Sequence, residues 1–117
     1  MAEYMMLLHE STSGFADLSA QDIEQIINEY TAWSNTVAAQ GKMAGGKKLK
    51  DEAGKNLMIN NGSLRVTDGP FAEAKEVIGG YFTILADNYD EAIKTAQTCP
   101  HLKYGGRIEL REVEPTE

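Results

Sequence analysis

Three side chains of this sequence are best suited to moving a proton near neutral pH: His9, His101 and Asp68. Imidazole is poised for that work because its unperturbed pKa is about 6.5. Asp68 stands before Gly69 and Pro70. There its carboxylate either caps a turn by accepting a backbone N–H or holds a histidine in one tautomer. His101 follows Cys99-Pro100. It either pairs with Asp68 across the fold or hydrogen-bonds the last carbonyls of a preceding helix. His9 ends an apolar run and is a reserve candidate for the same cleft. Phe71, held after Gly-Pro, either walls a cleft for a small apolar or aromatic molecule or anchors its loop to the core. Glu73, Lys75 and Glu76 form a short charge run that contacts a ligand or is simply solvated. The chemistry these residues imply is acid–base catalysis by His101 and Asp68. Gly69, Pro70, Phe71, Lys75 and His9 supply ligand contacts, and backbone N–H groups of the turn steady negative charge.

Other chemistries find little support. Gly45-Gly46-Lys47-Lys48 has neither the spacing nor the hydroxyl residue of a phosphate-binding loop. No serine sits in a G-x-S-x-G elbow, and Cys99 carries no local sign of an activated thiolate. Two histidines and one cysteine, with no paired metal-ligand spacing, predict no metal site and no cofactor. A formal net charge of -7 disfavours nucleic acid and anionic lipid, both of which are negative themselves. The single cysteine and the short apolar run near the N-terminus fit a cytoplasmic protein with no membrane span.

The elements that must position these residues follow from periodicity. Residues 3–9 (EYMMLLH) are a short apolar run expected of a central strand. Ser19 followed by Asp22 is a weak capping box. Ile23, Ile26, Ile27, Tyr30, Trp33 and Val37 then recur at three- and four-residue spacing, so a helix is expected over residues 19–40, with Gly41 allowing the chain to leave it. Residues 42–67 alternate apolar pieces with turn residues, and Asn60-Asn61-Gly62 is a hairpin signal, so two or three short antiparallel strands are expected. Residues 77–86 (VIGGYFTILA) predict another central strand, whose paired glycines mark a bulge or a close backbone approach. Asn88 with Glu91 starts a shorter helix bearing Ala92, Ile93 and Ala96, which Pro100 stops, and residues 107–113 close the chain as a strand.

That order is a β-α-β-β-α-β ferredoxin-like plan with one extra hairpin, an α+β fold whose two helices cover one face of an antiparallel sheet. A length of 117 residues suits a single domain. Apolar residues at consecutive strand positions point to burial of both sheet faces and hence to a homodimer.

The nine positions Asp68-Gly69-Pro70-Phe71-Ala72-Glu73-Ala74-Lys75-Glu76 resemble the DGPFAE-K-E signature of the DGPF branch of the YCII-related proteins. The opening strand, Gly79-Gly80-Tyr81-Phe82, Cys99-Pro100-His101, and Gly106 with Ile108-Glu109-Leu110-Arg111 agree with it, so the resemblance covers the whole chain. Ala74 departs from the family, where relatives often carry threonine. The resemblance implies a ferredoxin-like fold assembled as a dimeric α/β barrel, with a His and an Asp as an acid–base pair in its cleft. Relatives include an enzyme of chlorinated-aromatic breakdown, and others are encoded near sigma factors. Two functions are therefore expected: a cofactor-independent lyase or isomerase acting on a small molecule, or a non-catalytic dimer that binds a small ligand or a regulatory protein partner.

Overall fold

The computed structural model describes residues 1–11, 18–70 and 76–116. In order, the chain forms β1 (Ala2–Ser11), α1 (Ala20–Ala39), β2 (Met43–Lys48), β3 (Lys55–Asn60), β4 (Ser63–Asp68), β5 (Glu76–Ala86), α2 (Tyr89–Ala96), α3 (Pro100–Lys103) and β6 (Arg107–Glu112). Four strands make an antiparallel sheet in the order β2-β5-β1-β6, and β3 pairs only with β4. Without the β3–β4 hairpin, this is the ferredoxin-like β-α-β-β-α-β arrangement, with the hairpin inserted between its second and third strands.

Local chemistry explains the elements. Ser19 accepts from the Asp22 N–H while the Asp22 carboxylate accepts from the Ser19 N–H, so the capping box at the start of α1 is complete. Asn88 caps α2 by accepting from the Glu91 N–H. Asn61 and Gly62 both have positive φ, at 51° and 79°, the geometry that a two-residue hairpin loop with right-handed strand twist requires. Pro100 does more than stop α2, because it occupies the first turn of α3, where its missing N–H costs nothing.

The core lies on one face of the sheet. Tyr4, Met6 and Leu8 alternate inward from β1 and meet Trp33 and Val37 of α1, Ala92 and Ala96 of α2, and Ile84 of β5. Trp33 packs edge-on against Phe82 with ring centroids 5.0 Å apart, and its indole N–H donates to the Thr98 hydroxyl at 2.8 Å. Along β1 the intervening Met5, Leu7 and His9 face the opposite side and stay half-buried. Cys99 is buried in the core, and burial pushes its thiol up to about 11, so it is a poor nucleophile at neutral pH. No helix among the described residues is long and apolar enough to cross a membrane.

The β3–β4 hairpin lies outside this core. Its cross-strand pairs Leu57–Val66 and Ile59–Leu64 share one face, and all four side chains are more than half exposed. Asn56–Thr67 and Met58–Arg65 occupy the other. The radius of gyration is 16.1 Å, above the roughly 13 Å of a compact chain of this length.

Candidate functional site

The apolar stripe of α1 is longer than the core it meets. Ile26, Trp33 and Val37 are buried, whereas Ile23 and Ile27 are 40% and 49% exposed. Both line an open cleft between α1 and the sheet. The cleft measures about 380 Å³ and is walled by these isoleucines, Leu8, Phe82 and Tyr30. Its size and its apolar walls with a few polar groups are those of a small-molecule site.

Two polar assemblies reach the cleft. The first is built on His101, which is 4% exposed and held at the start of α3 by Pro100. One ring nitrogen, Nε2, lies 2.7 Å from the His9 carbonyl oxygen and must donate to it, because a carbonyl can only accept. Nδ1 of the neutral ring is then the acceptor, and the Tyr30 hydroxyl donates to it at 2.8 Å. Burial raises the Tyr30 phenol well above its ordinary value, with smaller contributions from Cys99 and Glu10, so it stays protonated at neutral pH. Gly106 completes the nest: a Cβ there would lie 2.2 Å from His101 Nε2.

The second assembly is Glu10. It continues the inward row Tyr4, Met6, Leu8 by one more alternation, so a carboxylate takes the next core-facing place. The register slips between Leu8 and His9, leaving Gly79 as the extra residue of β5. The Glu10 side chain lies across that glycine, where a Cβ would come within 2.3 Å of Oε1. Among the described residues its carboxylate has no hydrogen-bond or ion-pair partner. Desolvation raises its pKa above the usual carboxylate value, Asp51 adds to the shift, and His101 and Lys48 partly offset it. Lys48 is itself engaged by the Asp51 carboxylate at 3.2 Å.

The residues singled out from sequence separate into distinct places. His101 lines the cleft. Asp68 does not meet it within the chain: its carboxylate, 77% exposed, pairs with Lys55 at the base of the hairpin. Gly69 and Pro70 lie at that base too. The Gly69 N–H donates to the Gly54 carbonyl at 2.9 Å, and the Asn56 amide donates to the Gly69 carbonyl. The Asp-Gly-Pro turn therefore fastens the hairpin, and the His101–Asp68 contact is not made because Asp68 ends β4 in the separate two-stranded sheet while His101 is carried by α3 against β1. Nor does His101 bond the end of α2, whose carbonyls are taken by the N–H groups of Gln97, Thr98 and Cys99. His9 turns its ring to the opposite sheet face, where Nε2 is 2.9 Å from Glu109, and only its carbonyl reaches His101. Phe71 and Lys75 lie outside the described residues.

Glu10 and Tyr30 are the site residues that sequence reasoning missed. A signal for Glu10 was present: a carboxylate one alternation beyond the inward-facing Leu8 is out of place in a core row. Tyr30 was hidden because it sits in the apolar stripe of α1 and reads as core.

Glu10 also yields a stability prediction. A carboxyl whose folded pKa is raised above its unfolded value binds more protons in the folded state. Stability is then fully present below the unfolded value near 4.5 and is lost as pH rises through the raised folded value. Glu10→Gln is therefore expected to be more stable than the wild type at pH 7, with the difference vanishing below pH 4. Urea unfolding at both pH values checks this.

A family model of the YCII-related domain matches residues 2–117. An uncharacterised protein of Rhizobium meliloti is 28% identical over 95 residues, covering 80% of this chain and 77% of that protein. With the ferredoxin-like topology and a domain match over nearly its full length, the chain belongs to the YCII-related family.

Proposed function

We propose that this protein binds a small, largely apolar molecule in the cleft between α1 and the sheet, and that it does so as a homodimer. The observation that carries the binding reading is the placement of Ile23 and Ile27. They continue the core stripe of α1 yet are 40% and 49% exposed and line a cleft of about 380 Å³. Exposed isoleucines on a helix that has sheet beneath it are a cost to stability unless something else covers them.

Two further apolar surfaces support the homodimer. One is the sheet face opposite the helices, with Met5 and Leu7 half-buried on it. The other is the hairpin face of Leu57, Ile59, Leu64 and Val66. A two-stranded hairpin is marginal in water by itself, and a second copy supplies what it lacks.

One observation favours a second reading, in which the bound molecule also exchanges a proton. Glu10 is a carboxyl of raised pKa in an apolar cleft, the environment that suits a general acid or base. In that reading Glu10 is the carboxylate that works beside His101, and Tyr30 and His101 orient the bound molecule.

Chemical-shift mapping with a library of small aromatic and alicyclic fragments tests the binding reading. Amide signals of Leu8, Ile26, Tyr30 and Phe82 should move together. Ile27→Trp, which fills the cleft from the helix side, should weaken the same fragments by about tenfold or more, equivalent to at least ~1.4 kcal/mol. Shifts confined to other surfaces would rule the cleft out.

A further inference from the structure

Resting on the cleft as a ligand site, we infer that it selects a cationic ligand: a small apolar body carrying a protonated amine, held by the Glu10 carboxylate. The charged groups that face the cleft decide the sign of the ligand it takes. Lys48 is its basic side chain on β2, and the Lys48 ammonium is already taken by Asp51. Lys47 borders the cleft on the same strand. It pairs with Tyr81, whose side chain alternates to the opposite sheet face from Phe82, and the Lys47 side chain goes with it. His101, from α3, is occupied on both ring nitrogens, by the Tyr30 hydroxyl and the His9 carbonyl. Tyr30, from α1, spends its hydroxyl proton on His101 and leaves oxygen lone pairs as acceptors.

Among the described residues, no basic side chain of the cleft is thus left without a partner, and Glu10 and Tyr30 present acceptor oxygens to it. Among the described residues the Glu10 carboxylate is unpartnered, and it lies over Gly79 at the polar end of an apolar row. An ammonium there gains a charge-assisted hydrogen bond to a partly desolvated carboxylate. The flanking Tyr30 and Phe82 rings offer π faces that attract cations. The ligand's apolar body replaces water against Ile23, Ile27 and Leu8.

Three probes of one shape separate the possibilities: 2-phenylethylamine, 2-phenylethanol and 3-phenylpropanoate, titrated by calorimetry and amide shifts at pH 7. The expected order is amine over alcohol by about tenfold or more, as a charge-assisted hydrogen bond implies, with the carboxylate weakest. In Glu10→Gln the amine should lose its advantage over the alcohol. In the wild type the amine's advantage should shrink as pH falls through the raised Glu10 pKa, because the neutral carboxyl loses its charge while the amine stays protonated. Equal binding of amine and alcohol, or an amine preference that survives Glu10→Gln, overturns the inference and leaves the cleft as a binding site. Failure of all three probes to shift cleft amides in the wild type overturns the binding reading on which it rests.

Discussion

His101→Ala is expected to lower the free energy of unfolding by about 3–5 kcal/mol, a large part of the 5–15 kcal/mol that holds a domain together. The substitution leaves a cavity where a buried ring was, and it strips two partners at once. The His9 carbonyl loses its donor from Nε2, and the Tyr30 hydroxyl loses its acceptor at Nδ1. Each orphaned group costs about 1–3 kcal/mol where water does not replace the partner. The ring links three elements, since α3 carries it, β1 supplies the carbonyl and α1 supplies the tyrosine. Its loss should therefore loosen the wall of the cleft as well as the fold. Tyr30→Phe removes one of the two hydrogen bonds and should cost about 1–2 kcal/mol. Gly106→Ala attacks the same nest from outside, because the new methyl would meet a ring that both hydrogen bonds hold in place. Urea unfolding of the three variants is the measurement. A histidine serving chemistry alone would give three stabilities within about 0.5 kcal/mol of the wild type, and that result would end the positioning account of His101.

The second large effect is on assembly. The hairpin pair Ile59–Leu64 is directly opposed across β3 and β4. Ile59→Lys with Leu64→Glu should therefore keep the hairpin through a cross-strand ion pair while removing its apolar face. Burying a large aliphatic side chain contributes about 1.5–3 kcal/mol, and a two-fold interface counts each substitution twice. The dimer dissociation constant should accordingly rise at least about a hundredfold. Light scattering across a dilution series would show the wild type as a dimer where the double variant is a monomer. A monomeric wild type at all concentrations would remove the homodimer from the proposed function. Because monomer stability and association are linked in an obligate dimer, the unfolding comparison must be made at matched protein concentration.

The elements of the fold were legible in the sequence because each is specified by neighbours within a few positions. The Ser19–Asp22 box, the three- and four-residue spacing from Ile23 to Val37 and the Asn61-Gly62 turn are all local devices, and all three form as read. Even the bulge at Gly79 was marked by its paired glycines. The order of elements then restricts the sheet to few topologies, so the ferredoxin-like arrangement follows from the same local information.

What the sequence could not decide was which polar groups meet. Residue type and family likeness join His101 to Asp68, yet one strand pairing sends Asp68 into a hairpin with Lys55, and another brings the His9 carbonyl to the imidazole. Tyr30 reaches His101 across 71 positions of sequence, a contact without local cause. The open cleft is a further tertiary outcome. The helical stripe specifies an apolar face, but the height of α1 above the sheet depends on packing of Trp33 against Phe82 and of Val37 in the core farther along the helix. The sequence by itself determined the elements, their order and the apolar face each presents, because backbone hydrogen bonding and side-chain periodicity act over one or two turns. The tertiary structure alone decided that Glu10 and Tyr30 share a cleft with His101, because contacts between distant residues exist only once the sheet has set its register.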